Sequence, residues 1–340
     1  MKVIEMKERG INLVRKINVD AFLEELGSGI SKPVLILGSD YEQYILKNQK
    51  SDNNGNKYNF NCMFLNELLA YQIGVFLEVP MPEAVIAYLD KRIIEADPRI
   101  LFAYRFTEGE HFASKELNNV ENNILDNMNI LIRMGKPYVK RSWNVFFDNI
   151  INGEDIAKIL AFDLLIGNFD RYNNCGNILI SNTPLGRKIF AIDHGHAFWG
   201  PEWREEKIAM MKMAERTENY INKYIACIDR SNKGRPNGTG VIFRELEKYV
   251  DLSNTDEHSF QEIVMKIEMI TEDDIDQWLN NTPDEWFIDK NMQVAYYKKF
   301  ILGQKVLVKY FIQALADKGD FSNFKGGILK WKKEKQFGTA

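Results

Sequence analysis

The residues with chemical potential gather in one stretch, DLLIGNFDRYNNCGNILISNTPLGRKIFAIDHG, which runs from Asp163 to Gly195. Asp170 lies in a polar segment that follows an apolar, helix-like run. Asn177 comes seven positions later (177 minus 170) and opens the β-prone run Ile178–Ile180. A Pro184/Gly186 turn and a second apolar strand, Ile189–Ile192, lead to Asp193, His194 and Gly195. Phosphoryl transfer asks for this assortment. It needs a carboxylate to take up or orient a hydroxyl, hard oxygen ligands for Mg²⁺, and a cation on the phosphates. One carboxylate and one amide oxygen suffice as protein ligands, because Mg²⁺ keeps several waters. A hairpin that begins at Asn177 and ends at Asp193 brings two such oxygens together, and Asp170 is left for the hydroxyl. Each of these residues taken singly reads as a turn former. The ordered set Asp, Asn, strand, turn, strand, Asp points instead to a phosphotransferase.

The matching cation is sought upstream. Lys47 ends a short β-prone run and is the candidate for the phosphates. Glu67 lies 20 positions further on (67 minus 47), beside Phe64, Leu65 and Leu68. A carboxylate bordering an apolar face requires a partner, because burying it alone is costly, and in a kinase-like lobe that partner is the strand lysine.

These groups are positioned by elements that the residue pattern predicts. Pro33–Leu37 and Tyr44–Lys47 flank the turn Gly38-Ser39-Asp40 and read as a hairpin. Ser51–Lys57 reads as a loop. Apolar residues recur at helical spacing over Asn61–Leu77, which stops before Pro80 and Pro82. Ala84–Leu89 and Ile100–Phe106 read as strands, Asn118–Met134 and Asp155–Ile166 as helices, and Gln293–Leu315 as one long helix. The chain from Trp203 onward is mostly helical. The expected fold is α+β, with a small β-rich unit over residues 1–106 and a larger, mainly helical unit over residues 107–340. A short junction between unlike units marks a cleft where small molecules bind.

The sequence resembles the HipA-like kinases, a branch of the protein-kinase-like fold related to type II phosphatidylinositol kinases. Four segments between residues 31 and 198 carry the resemblance. Ser31–Gln49 (SKPVLILGSDYEQYILKNQ) resembles the strand–turn–strand with the ATP lysine. Asn66–Ile86 (NELLAYQIGVFLEVPMPEAVI) resembles the helix with the paired glutamate. Ile100–Gly109 (ILFAYRFTEG) resembles the strand entering the adenine hinge, and Asp163–Phe198 resembles the catalytic block. The resemblance implies a two-lobed kinase that uses ATP and Mg²⁺ on a Ser or Thr hydroxyl of a protein. Asp170 would be the base and Asn177 and Asp193 the metal ligands. Lys47 would hold the phosphates and Glu67 would hold Lys47. Gly38 and Ser39 would lie over the phosphates, and backbone groups of Tyr104, Arg105 and Phe106 would meet adenine. Ser39 would then be a candidate autophosphorylation site, where a phosphate would inhibit.

Several features depart from the general kinase pattern. The spacing H-R-D-x-x-x-x-N is not kept: Asn174 stands four positions after Asp170 and Asn177 seven. Asn177 is the preferred ligand because GNILI leads directly into a strand. Asn168-Phe169 stand where His-Arg would precede the aspartate. His194 follows Asp193 in place of phenylalanine, and the turn at Gly38 has a single glycine. Three other readings compete. His194 and His196 form an H-x-H pair that a metallohydrolase could use. The same fold also serves small-molecule and lipid kinases and non-catalytic nucleotide-binding scaffolds.

Composition sets the outer bounds. The 340 residues are 45% hydrophobic and 27% charged, with 44 basic and 48 acidic side chains and a formal net charge of -4. This is a globular composition without a strongly basic, nucleic-acid-binding balance. Lys136–Arg141 and Leu329–Lys335 are basic but read as solvated segments. The three cysteines, Cys62, Cys175 and Cys227, make no CxxC pair, which suits a reducing cytoplasm. The charged N-terminus lacks the apolar core of a signal peptide, and no run approaches the ~20 apolar residues of a membrane span.

Overall fold

In the first strand, β1 (Arg15–Glu25), Ile17 and Val19 alternate with exposed Lys16, Asn18 and Asp20, the two-residue period of a strand with one buried face. The computed structural model describes residues 14–26, 32–53, 56–97, 106–121, 134–135, 145–172, 174–231 and 240–332. β2 (Val34–Gly38) and β3 (Gln43–Leu46) form the expected hairpin, with Leu46 opposite Val34 and Gln43 opposite Leu37. β4 (Lys50–Asn53) and β5 (Asn56–Asn59) pair antiparallel, so the segment expected as a loop is a second hairpin. Asn54 and Gly55, between the two strands, lie outside the described residues.

Helix α1 (Met63–Phe76) follows. It is apolar almost all round because it is covered on two sides. Phe64 and Leu68 pack with Ile86, Phe112 and Trp286, whereas Leu65, Leu69 and Ile73 join the core of the helical part. β6 (Ala84–Leu89) matches the expected strand, and the short helix α2 (Lys91–Ala96) is capped by the Asp90 carboxylate. Residues 98–105 lie outside the described set, and the expected strand Ile100–Phe106 falls there except for Phe106. β7 (Gly109–Lys115) closes the sheet. The five strands form a closed barrel in the order β1-β2-β3-β7-β6, in which only β1 and β6 run parallel. Ile17, Val34, Ile36, Tyr44, Val85, Phe106 and Ala113 fill it. The last strand of the barrel therefore ends at Lys115.

The chain leaves the barrel at Glu116 and runs directly to a second sheet. Val120 bridges Ser181, and Glu121 donates its backbone N–H to Ile180 at 2.8 Å. Most of the helix expected over Asn118–Met134 lies outside the described residues. Helix α3 (Asp155–Ile166) begins and ends as the pattern predicts. Gly167 caps it with φ +63°, a left-handed conformation that glycine takes without a Cβ penalty. Two 3-10 turns, Asp170–Tyr172 and Cys175–Asn177, precede the antiparallel pair β8 (Ile178–Thr183) and β9 (Gly186–Ala191).

The remainder is helical: α4 (Glu205–Lys212), α5 (Glu218–Ser231), α6 (Gly240–Leu246), α7 (Gln261–Met269), α8 (Glu272–Asn280), α9 (Lys290–Lys305) and α10 (Val308–Asp317). The single helix expected over Gln293–Leu315 is interrupted at Val306-Leu307, where exposed Val306 is followed by fully buried Leu307 and Val308. Leu329 is buried in the main core and Trp331 meets His258 edge-on at 4.8 Å, while Lys330 and Lys332 stay exposed, so the apolar residues of this basic end are packed. The fold is mixed α+β. Among the described residues no helix is long and apolar enough to cross a membrane.

Candidate active site

The barrel contributes a lysine and α1 a carboxylate. Lys47 follows β3, and its backbone N–H still pairs with Phe112 of β7 at 3.0 Å, so the sheet carries it to the barrel's end. Its side chain is buried, 10% exposed. The ammonium donates to Glu67 Oε1 and, at 2.9 Å, to Asp193 Oδ1. Glu67, on the buried middle of α1, is 2% exposed. Its second oxygen accepts the backbone N–H of His194 at 3.1 Å. One carboxylate thus joins β3, α1 and the turn that carries Asp193.

The charges hold one another in place. Burial disfavours the Lys47 ammonium, but Asp193 and Glu67 outweigh it and raise its pKa above the ordinary lysine value. Burial raises the Glu67 carboxyl, and Lys47 opposes that shift. Burial also disfavours the Asp193 carboxylate, but the charge and hydrogen bond of Lys47 prevail and hold its pKa well below the usual range.

Asp193 adopts φ +60°, a conformation that aspartate tolerates better than most residues. Gly195 completes the turn. A Cβ there would stand 2.5 Å from Met63 Cγ and 3.3 Å from Glu67 Oε1, so only glycine lets this backbone approach α1.

Asp170 opens the 3-10 turn just past the Gly167 cap and is partly exposed. Its Oδ2 accepts from Asn177 Nδ2 at 2.8 Å and from Asn174 Nδ2 at 3.3 Å. Asn177 is buried and Asn174 exposed. Asn177 and Asp193 sit at the open end of the β8–β9 pair, where Ile192 donates to the Asn177 carbonyl at 3.1 Å.

Beneath that open end lies an ion pair that the sequence reading passed over. Arg171 and Asp163 are both 0% exposed, with Arg171 Nε 2.7 Å from Asp163 Oδ2. Arg171 Nη1 donates to the carbonyls of Asn177 and, at 2.9 Å, Ile192. Asn168 Nδ2 holds the other Asp163 oxygen at 3.2 Å. Burial raises the Asp163 carboxyl, and Arg171 opposes it. One guanidinium therefore ties the backbone beside Asn177 to the backbone beside Asp193. The signal in the sequence was a carboxylate inside the apolar run Ile159–Ile166.

The donors fit a hard cation. Asp193 offers a carboxylate whose side chain is 39% exposed, and Asn177 commits its amide N–H to Asp170, which leaves its amide oxygen. Two hard oxygens suit Mg²⁺. The H-x-H pair does not form a metal cluster. His194 packs edge-on to Phe162 at 5.4 Å, His196 faces Phe60 at 5.7 Å, and no group of three His, Cys, Asp or Glu converges among the described residues.

Other expected site residues lie elsewhere. The turn Gly38-Ser39-Asp40 is at the opposite end of the β2–β3 hairpin from Lys47. Four strand steps separate Gly38 from Val34, the partner of Leu46, or roughly 13 Å at ~3.3 Å per residue. Ser39 is fastened to β1, donating its N–H to the Asn18 carbonyl at 2.9 Å and accepting the Asn18 N–H on Oγ at 3.1 Å. Asp40 is held by Arg15 at 2.9 Å and the Tyr44 hydroxyl at 2.7 Å. The strand ends near Lys47 are Glu25 and Val34. The sequence Gly27-Ser28-Gly29-Ile30-Ser31 between them lies outside the described residues. Tyr104 and Arg105 also lie outside them, and Phe106 is buried in the barrel with its ring 5.5 Å from His111. The strap that leaves the barrel is Glu116–Val120, whose last three residues fall in the helix expected over Asn118–Met134.

The family described as HipA-like kinase matches residues 19–231. No curated protein matches the chain. Among solved structures, a crystal structure of the Helicobacter pylori proinflammatory kinase CtkA aligns with a TM-score of 0.47 and 14% identity, over 92% of this chain and 98% of that one.

Proposed function

This chain belongs to the HipA-like kinase family, and from that premise we propose that it transfers the γ-phosphoryl group of ATP, with Mg²⁺, to a serine or threonine hydroxyl of a protein substrate. The phosphotransferase class follows from the family. ATP, the metal and the acceptor are our reading. The observation that carries it is the Lys47–Glu67–Asp193 cluster, in which one buried ammonium bridges two carboxylates from separate elements.

In this reading the barrel through Lys115 is the smaller lobe, the chain from Glu116 onward is the larger, and the nucleotide lies between them. Lys47 faces the phosphates while Glu67 holds its ammonium. Asn177 and Asp193 would hold Mg²⁺, which supplies neutralisation of the phosphate charge. Asp170 accepts the proton as the acceptor oxygen bonds the γ-phosphorus. The bond from that phosphorus to the β–γ bridging oxygen breaks, and ADP leaves with the electron pair. The adenine contact moves from Tyr104–Phe106 to the backbone of the Glu116–Val120 strap, because Phe106 is inside the barrel. Ser39 is not at the phosphates in this reading and loses its role there.

The test is transfer from labelled ATP to the chain itself and to protein extracts, with Mg²⁺ or EDTA. Wild type should transfer only with Mg²⁺, and Asp170→Asn should lose roughly 10²–10⁴-fold in rate. Undiminished transfer in Asp170→Asn would remove Asp170 from the mechanism. Labelling confined to small molecules or lipids would replace the protein acceptor.

A further inference from the structure

α1 carries a second buried polar residue beside Glu67. Asn66 is fully buried, and its amide nitrogen donates to three backbone carbonyls of the turn after Asp193. These are Gly195 at 2.7 Å, Ala197 at 3.0 Å and Gly200 at 3.0 Å. Its amide oxygen faces the helical body, where it accepts from the Tyr297 hydroxyl at 2.5 Å and the Lys207 ammonium at 3.3 Å. Lys207 itself donates to Gly200 at 2.7 Å and lies 5.0 Å over the Tyr297 ring.

The turn under this amide does not fold by local preference. Phe198, Trp199 and Gly200 have φ of +54°, +66° and +114° in succession. Left-handed aromatic residues are unfavourable and persist only where their surroundings over-determine them. The surroundings here are Asn66, the 2.6 Å bond from Phe198 N–H to the Ile166 carbonyl, and the bond from Cys62 N–H to Pro201 at 2.8 Å. The neighbouring residue, Glu67, holds Lys47 and the His194 N–H. Two adjacent side chains of one helix therefore set where Asp193 stands relative to Lys47.

We propose that Asn66 is a positioning residue of the kinase reaction, its amide holding the turn Gly195–Gly200, and through it Asp193, in register with the Lys47–Glu67 pair. The inference rests on the kinase reading above for its catalytic consequence, but not for its structural one. Tyr297, on α9 and outside the stretch matched by the family, meets only the acceptor face of the amide, away from the turn.

The two faces of the amide can be separated. Asn66→Asp keeps the shape and the acceptor face toward Lys207 and Tyr297 but removes the donors to the turn. Tyr297→Phe keeps the donors and removes one bond on the acceptor face. Mg²⁺-dependent ATP turnover should fall at least about tenfold in kcat for Asn66→Asp, with KM for ATP within roughly threefold, and stay within about twofold of wild type for Tyr297→Phe. A purely structural role would lower both melting temperatures and leave kcat per folded molecule unchanged in both, which overturns the proposal. If Asn66→Asp does not fold, Asn66→Ser takes its place, and wild-type kcat there is equally fatal. Amide hydrogen exchange of His194–Phe198 in the nucleotide-free protein reads the turn without chemistry. Faster exchange in Asn66→Asp and not in Tyr297→Phe supports the clamp, and unchanged exchange overturns it. A wild type that shows the clamp but turns over no ATP defeats the kinase reading alone.

Discussion

The ammonium of Lys47 stands 2.9 Å from Asp193 Oδ1 while it also donates to Glu67. Glu67 is 2% exposed, so this lysine is the counter-charge that makes its burial tolerable. Removing one partner of a buried pair leaves an uncompensated charge and costs about 3–5 kcal/mol. Lys47→Met should therefore lower stability by about that amount as well as abolish transfer. Adding Glu67→Gln should restore most of the stability and none of the activity. Urea unfolding of the two variants checks this, and a Lys47→Met protein as stable as wild type would refute it.

The two candidate amides for the metal differ in burial and in their hold on Asp170. Asn177 is buried and donates to Asp170 at 2.8 Å; Asn174 is exposed and donates at 3.3 Å. Asn177 is also fixed at its backbone by Arg171 and Ile192. Asn177→Ala should raise the Mg²⁺ concentration for half-maximal transfer by at least about tenfold, and Asn174→Ala should change it by less than about twofold. A Mg²⁺ titration of ATP turnover decides the matter, and the reverse order would move the ligand to Asn174.

What the sequence made legible follows from which forces are local. The short β-prone runs and the helical pattern located β2, β3, α1, β6 and α3 within one or two residues, and found β8 and β9 but fell three residues short toward their shared turn, because each buries a regular face. The order of Asp170, Asn177 and Asp193 was legible for a related reason: a single hairpin joins the last two. What was missed depends on pairing across the chain. The Gly38 turn and Lys47 are close in sequence, yet antiparallel register puts them at opposite ends of a strand pair. The barrel's last strand, Gly109–Lys115, contains His111 and Lys115 and has little apolar alternation to announce it. Asn66 and Arg171 carry no signal of their own in the sequence, because a buried polar group is recognised only by the carbonyls it meets from distant segments.

Arg171 should resist its conservative replacement. Its Nε pairs with Asp163 while Nη1 reaches the carbonyls of Asn177 and Ile192. A lysine offers one compact ammonium and cannot span the three acceptors from one position. Arg171→Lys should thus lose roughly 1–3 kcal/mol through unmet buried acceptors and also weaken transfer, since the open end of the hairpin is no longer held. Thermal melts and ATP turnover, measured well below the melting temperature, check both parts. Wild-type kcat in a destabilised Arg171→Lys would separate the pillar from catalysis.

The barrel should be acid-sensitive through His111. Its ring lies between Phe64 and Phe106, each at 5.5 Å, and Nδ1 meets the Gly109 carbonyl at 3.0 Å. Burial lowers its pKa from 6.5 to about 4, with the Gly109 bond opposing and Lys50 assisting. The folded protein therefore binds fewer protons than the unfolded chain between those values. The stabilising difference is complete above pH 6.5 and is lost as pH falls toward 4. At 1.36 kcal/mol per pH unit it amounts to about 3 kcal/mol. His194 and His258 are also pushed down by burial and act in the same direction, so the measurement is a difference. His111→Phe loses the Gly109 bond and starts less stable at neutral pH, but its stability should decline less steeply on acidification. The gap between the two proteins should narrow by up to about 3 kcal/mol from pH 7 to pH 4. Urea midpoints across that range give the answer, and two parallel curves would show that His111 carries no part of the acid response.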